Sequence, residues 1–482
     1  MVFGSPITKP FVTTYAPYVQ DTWRLTTNFT VDLGFRYEYW GTPENTLLFP
    51  AADLSAGIGL PGQSFPDKFA HPQQGDLNNF APRVGLAYTP RMWGRLFGHG
   101  RTVIRAGYGI FYDGIFTNIL DNTAGASPNA VGFTATSNTG RGVANVTAAL
   151  ATAQAVLNPA ATVTTISSNL RNPLTQQWNL NIQRELPGGF ILTAAYVGTR
   201  GERTFITQAF NPRVNGGARV NPTEGAINVR NSAGDSIYHG GQFQLDRKFS
   251  HGLQLRAAYT YSKLLDNGSD VFGPTGGNTI NRNDFAQNPL CQSCDRGPSI
   301  FDIRHRFVGT YIWDLPYQRN TSNLAQGVLK AITRDWTISG TTTAQTGFNG
   351  TIFSGVDSLG DGQPFNDRPR IADASKGVFD PARYFAVPLN TGAAALVGTI
   401  GRGSIPLPGF QNWDFSIQRA FKLPVRHFEG QSLTLRGEAY NGFNHPNLGI
   451  PDLNLSNTST FGDLPSTIYG GRVMKIRLTY AF

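Results

Sequence analysis

The residues most able to do chemistry are few and rarely adjacent. The only two cysteines, Cys291 and Cys294, form a single C-x-x-C. A zinc site needs a second such pair or histidines at ligand spacing, and the seven histidines are dispersed. In an extracellular loop the pair reads first as a small disulfide that pins the loop, ahead of free thiols and of metal or redox chemistry. Asp357, Asp361 and Asp367 punctuate a glycine-bearing stretch, D-S-L-G-D-G followed by N-D. Such carboxylates could give Ca²⁺ hard oxygen ligands, yet the EF-hand spacing with its closing Glu is absent. A solvated turn that uses Asp and Gly for their backbone preferences is the plainer reading. Arg304, His305 and Arg306 sit in an alternating segment, which puts both arginines on one face, the polar one, and His305 on the other. A catalytic histidine needs a partner within hydrogen-bond reach, and none can be named. No G-x-S-x-G elbow or phosphate-cradling glycine loop stands out. The chain reads as a non-enzyme with no catalytic or cofactor-binding residues.

The elements that carry these residues are strands. Charged residues make up only 15% of the 482, against 55 Gly and 33 Phe, where a soluble protein has about a quarter charged. Mean hydropathy is nevertheless −0.23, and no apolar run reaches the roughly 18 residues of a membrane helix. Few charges without apolar runs is what a transmembrane barrel needs, because only every second residue meets lipid. The net charge of +9 comes from scattered Lys and Arg with no basic cluster or known module, so nucleic acid is not a partner.

Period-two alternation recurs. Phe29, Val31, Leu33, Phe35, Tyr37 and Tyr39 oppose Thr30, Asp32, Gly34, Arg36 and Glu38; Leu253, Leu255, Ala257, Tyr259 and Tyr261 oppose Gln254, Arg256 and Thr260. The pattern predicts strands at 18–24, 29–39, 80–88, 102–112, 174–186, 190–199, 241–249, 253–262, 303–314, 334–348, 411–421, 432–443 and 472–482. Many approach ten residues, the length of membrane strands rather than soluble ones. A soluble sandwich or propeller shares the period, but the connections argue against it. Short links (25–28, 89–101, 187–189, 250–252, 315–333, 422–431) alternate with long ones (40–79, 113–173, 200–240, 263–302, 349–410, 444–471). Short periplasmic turns against long extracellular loops is the barrel pattern. The expectation is an all-β, antiparallel outer-membrane barrel, incomplete at about 13–14 strands. Asp32, Arg36, Glu38, Arg256, Asp414, Arg436 and Glu438 would then wet its lumen and pair across neighbouring strands. Tyr37, Tyr39, Trp40, Trp313 and Trp413 would sit at headgroup level, and the Ala-rich stretch 143–157 would form a short loop helix.

The last segment is the sharpest local feature. Met474, Ile476, Leu478, Tyr480 and Phe482 form one apolar face ending on an aromatic residue. This resembles the terminal signal read by the barrel assembly machinery, where an ordinary edge strand would avoid so long an aromatic face. Counting directions back from a periplasmic end puts Met1 outside the cell. Since bacterial barrels have even strand numbers, the expectation is a fragment lacking earlier strands, consistent with the absence of a signal peptide.

Several stretches resemble the barrel of TonB-dependent receptors, specifically the Oar-like branch with an N-terminal carboxypeptidase-regulatory-like domain. They are YVQDTWR at 18–24 with the following LTTNFTVDLGFRYEYW, FDIRHRFVGTYIWDLP at 301–316, RGEAYNGFNHPNLG at 436–449 and the closing strand. The resemblance spans the chain. It implies a 22-stranded barrel closed by a plug, with uptake driven by the TonB complex. Neither a plug-like segment nor a TonB box is found here. The expected partners are outer-membrane lipid, lipopolysaccharide, the assembly machinery and a transported ligand, with TonB reached only through a plug. A passive channel or surface adhesion scaffold is the alternative.

Overall fold

The computed structural model describes residues 2–3, 11–42, 51–53, 67–71, 75–92, 94–124, 131–132, 162–271, 286–288, 291–315, 335–362, 366–385, 398–422 and 431–481. Thirteen long strands carry the fold: β1 (Tyr18–Thr26), β2 (Phe29–Tyr37), β3 (Phe80–Tyr88), β4 (Thr102–Tyr112), β5 (Leu174–Leu186), β6 (Phe190–Phe210), β7 (Ile227–Ser250), β8 (Leu253–Asp266), β9 (His305–Asp314), β10 (Trp336–Gln345), β11 (Phe410–Lys422), β12 (Ser432–Tyr440) and β13 (Val473–Ala481). Each is hydrogen-bonded antiparallel to its neighbours in sequence, so the wall is one continuous meander from β1 to β13. Among the described residues β1 and β13 pair on one side only, and the sheet is an open path rather than a closed ring.

The alternation that predicts the strands also sets the register. Val31, Leu33 and Phe35 face Leu86, Val84 and Pro82 across β2 and β3, and Ala106 and Tyr108 of β4 continue the same band. The turns are short where Pro187, Gly188 and Gly189 or Ser250, His251 and Gly252 intervene. Gly188, Gly189, His251 and Gly252 have φ of 80°, 75°, 50° and 75°, left-handed values that tight hairpins need and glycine adopts freely.

The expected loop 200–240 differs most. The β6–β7 hairpin instead runs on to Phe210↔Ile227, far past the wall, and the connection shrinks to 211–226. Register shifts between Glu202 and Thr204 and between Thr204 and Ile206 break the period-two pattern there, so alternation could not show the extension. Val163–Ile166, expected to be loop, pairs parallel with Ile227–Arg230 on this extension. A helix forms at Thr117–Ala124; the Ala-rich stretch 143–157 lies outside the described residues.

The apolar core lies at the loop end of the strands, not in the wall. One cluster joins Ile352, Tyr384, Ile400, Ile405 and Leu407 from the connection after β10 with Leu453, Leu455 and Phe461 from that after β12. A second joins Ile119, Leu120, Ile166 and Val271. Outward wall residues stay uncovered: Leu180 is 44% exposed, Phe243 53% and Ile476 84%. In a sandwich they would be buried against a second sheet. Here they are the surface a bilayer covers. No helix among the described residues is long and apolar enough to cross a membrane.

Candidate functional site: the polar inner wall and the loop cap

The opposite face of each strand is polar. Asp246 and Arg256 are directly opposed on β7 and β8 and form an ion pair at 2.7 Å. The Thr22 hydroxyl donates to Asp32 at 2.6 Å across β1 and β2. Thr337 donates to Asp314 at 2.6 Å, and the Ser339 and Ser416 hydroxyls meet at 2.8 Å. Two expected pairings run differently. Arg36 binds Glu38 at 2.6 Å and Arg436 binds Glu438 at 2.8 Å, each along its own strand, and Arg436 donates across to Gln418 of β11 at 3.4 Å as well. Residues i and i+2 share a face, and both side chains are long enough to close that gap. Asp414 accepts from the Asn441 backbone N–H at 2.8 Å. Over β9 to β12 the inner face forms a cavity of about 510 Å³ lined by Thr310, Ser339, Thr341, Asp414, Arg436 and Glu438. Hydroxyls beside an internally paired Arg and Glu can hydrogen-bond polar solutes. They do not assemble a nucleophile with a base.

Above this wall the described loop segments are tied to one another and form a cap. Arg402, buried after β10, forms an ion pair with Asp266 at the end of β8. It also donates to the Asp295 carbonyl at 2.9 Å and to Ser269 at 3.2 Å. Arg368 pairs with Asp295 at 2.7 Å and donates to Gln287 at 2.6 Å. On the other side, buried Asp76 faces Arg171 at 3.6 Å and Arg203 at 3.9 Å and accepts from the Asn172 N–H at 3.0 Å. Backbone bonds lace the cap further: Leu455 N–H to the Phe353 carbonyl, Arg213 N–H to Asp361 and Gly216 N–H to Gly360. Sequence reasoning missed these arginine–aspartate pairs because their partners lie 73 and 136 residues apart for Arg368 and Arg402. An isolated Arg in a Gly- and Asn-rich loop carries no signal of its mate.

Cys291 and Cys294 are joined by a disulfide with Cα atoms 5.2 Å apart. The bridge spans the 3₁₀ turn Gln292–Asp295 that presents Asp295 to both arginines. The three aspartates expected as Ca²⁺ candidates act as turn acceptors. Asp357 accepts from the N–H groups of Asp361 and Gly362, both at 2.9 Å, and Asp367 accepts from Leu359 N–H at 3.0 Å. No group of three or more His, Cys, Asp or Glu side chains among the described residues is placed to hold a metal ion. Asp367 is wholly buried, and burial, reinforced by the charges of Asp361 and Asp357, raises its pKa to about 7.

Arg304 departs from the expected alternation. It precedes β9, and its guanidinium lies 5.9 Å from the Tyr261 ring centroid, the ring His305 approaches at 5.1 Å. Arg304 and His305 therefore share the outward side, while Arg306 stands opposite Thr260 and Gln345. Of the terminal residues, Met474, Ile476, Leu478 and Tyr480 are exposed on one face of β13, in register with Ala439, Gly437, Leu435 and Leu433 of β12; Phe482 lies outside the described residues.

The sequence matches the family model of the outer membrane beta barrel domain over residues 3–475. The chain belongs to this family. Its strands accordingly form an outer-membrane barrel wall, and its place is the outer membrane of a Gram-negative type of cell. Among solved structures, the barrel domain is similar to the outer membrane transporter YddB from Escherichia coli, at 12% identity and a TM-score of 0.47, covering 97% of this chain and 44% of that one. It is similar also to the ferric-catecholate import receptor Fiu from K12 E. coli, at 12% identity and a TM-score of 0.42, covering 98% and 45%. The pyoverdine receptor FpvA from Pseudomonas aeruginosa PAO1 gives 11% identity and a TM-score of 0.45, covering 98% and 42%. The barrel domain thus spans less than half the length of these structures. No curated protein matches the sequence.

Proposed function

We propose that this barrel domain, within the intact protein, binds a ligand at its cap and admits it across the outer membrane, in the manner of a TonB-dependent receptor of the Oar-like branch. The observation that carries the reading is the cap itself. Connections after β8, β10 and β12 are tied by buried ion pairs and a shared apolar cluster at the same end of a polar wall. Free loops around an open pore would need neither. The inner wall offers hydroxyls and paired charges suited to passing a polar solute, and the reading assigns no covalent step to the chain. The folded cap also suits a surface adhesion scaffold, which is the second reading.

Swelling of proteoliposomes in sugars of increasing size tests the first reading. A capped receptor wall gives little swelling, and Arg402→Ala, which unties the cap from β8, increases it. Free, size-graded swelling by the unaltered chain would instead mark a passive channel. No swelling with either protein, although both are inserted, would favour the scaffold.

A further inference from the structure

A groove of about 600 Å³ opens on the outward side of the wall, where the loop ends of β8 to β11 meet the connection after β10. Phe307 and Ala344, opposed across β9 and β10, form an apolar floor continuous with the outward band. Tyr259, Arg304 and His305 line it as well, toward the loop side of Phe307, as the rim of the wall there. The Tyr259 hydroxyl lies 2.7 Å from His305 Nδ1, which fixes the two rings against each other. One carboxylate, Asp302, also lines the groove. It is buried and accepts from Leu264 N–H at 2.7 Å and Asn349 at 3.2 Å. Its contact with Arg304 is through one guanidinium nitrogen at 3.3 Å. A guanidinium has five donors in a planar fork, so this contact leaves capacity for a second anion.

We propose that this groove holds a phosphorylated lipid of the outer leaflet, with its phosphate on Arg304 and an acyl chain along Phe307. The proposal rests on the outer-membrane reading with the long loops outside. That orientation sets the rim at headgroup level, where aromatic rings and cations with apolar stems belong. Arginine matches phosphate geometry through paired hydrogen bonds. The apolar floor argues for a lipid rather than free phosphate, because an inorganic ion gains nothing from Phe307 and Ala344.

The test is native mass spectrometry of the full chain in detergent, titrated separately with diphosphorylated lipid A, phosphatidylcholine and inorganic phosphate. Lipid A should be retained over phosphatidylcholine. Arg304→Gln should weaken it roughly tenfold, the loss of a charge-assisted hydrogen bond, and Phe307→Ala should weaken it too. Arg304→Lys keeps the charge and should retain intermediate affinity, which separates a lost contact from a misfolded wall. Equal lipid A binding by the parent and Arg304→Gln would overturn the proposal. So would full displacement of lipid A by inorganic phosphate, or indifference to Phe307→Ala, either of which would point to a simple phosphate site. A chain that stays monodisperse without detergent would sink the membrane reading itself. A detergent-dependent chain with no preference for lipid A would sink only the groove.

Discussion

Replacing Asp367 with asparagine should stabilise the cap at neutral and alkaline pH and remove its dependence on acidity. The Asp367 carboxyl is wholly buried, and its pKa rises from an ordinary 3.8 to about 7, first through burial and then through Asp361 and Asp357. In the unfolded cap the proton leaves near the ordinary value; in the folded cap it is held until about 7. Folding therefore takes up a proton between these two values. The stability this provides is complete below the ordinary pKa and is lost as pH rises through about 7. The full span is about three pH units at about 1.4 kcal/mol each, on the order of 4 kcal/mol. Arg219 stands near Asp361 and Asp357 and offsets part of the repulsion. An asparagine in this place would bury no charge, and its side-chain carbonyl could still accept the Leu359 N–H. The assay is hydrogen exchange over 352–362, corrected for intrinsic rates, at pH 5.5, 7 and 8.5. The parent should lose roughly fifteenfold in protection between pH 5.5 and 7, where half of the proton is still held, and about twofold more by pH 8.5. The variant should be flat and better protected at pH 8.5. Equal slopes in both proteins, or protection that rises with pH in the parent, would refute the argument.

Three further perturbations separate the parts of the molecule. Arg402→Met leaves Asp266 buried without its partner and should cost about 3–5 kcal/mol in thermal or denaturant unfolding of the cap; adding Asp266→Leu should recover much of it. Leu453→Ala opens a cavity in the larger apolar cluster and should cost about 2–5 kcal/mol, seen as faster proteolysis within 441–472 while the wall stays resistant. Ile476→Lys puts a charge on the lipid face of β13, at about 2–4 kcal/mol near the bilayer midplane. It should lower the amount of chain recovered in the outer membrane. Thr479→Lys, on the polar face, should leave that amount unchanged.

How far the structure was legible follows the period of the chain. Where alternation ran unbroken, as at Phe80–Tyr88, Thr102–Tyr112 and Leu174–Leu186, strand ends and faces could be read to the residue. The outward band and polar inner wall follow from the same period. Where register shifts intervened, as between Glu202 and Ile206, the pattern dissolved and a long hairpin looked like a loop. Arg304 escaped because it stands just outside β9, where strand alternation no longer directs a side chain. Asp246, the partner of Arg256, was equally out of reach, since register across a turn depends on its geometry. The cap was hidden for a different reason. Its contacts join segments far apart in sequence whose composition, rich in Gly, Asn and Pro, is that of any exposed loop.

That arrangement inverts where this molecule can absorb change. In most barrels the long connections drift freely and accept foreign inserts. Here Ile352, Leu407 and Leu453 make long connections behave as a protein interior, so new surface chemistry must arise without emptying that interior. Room for a larger side chain lies on exposed stretches such as 374–379, where one added at Gly377 would meet nothing within 4 Å. A label carried on a side chain at 377 would ride on the cap, because the ties from this stretch to Arg383 and Tyr384 run through the carbonyls of Ala374, Lys376 and Val378, whereas a graft beside Leu453 would dismantle the layer it was meant to report on.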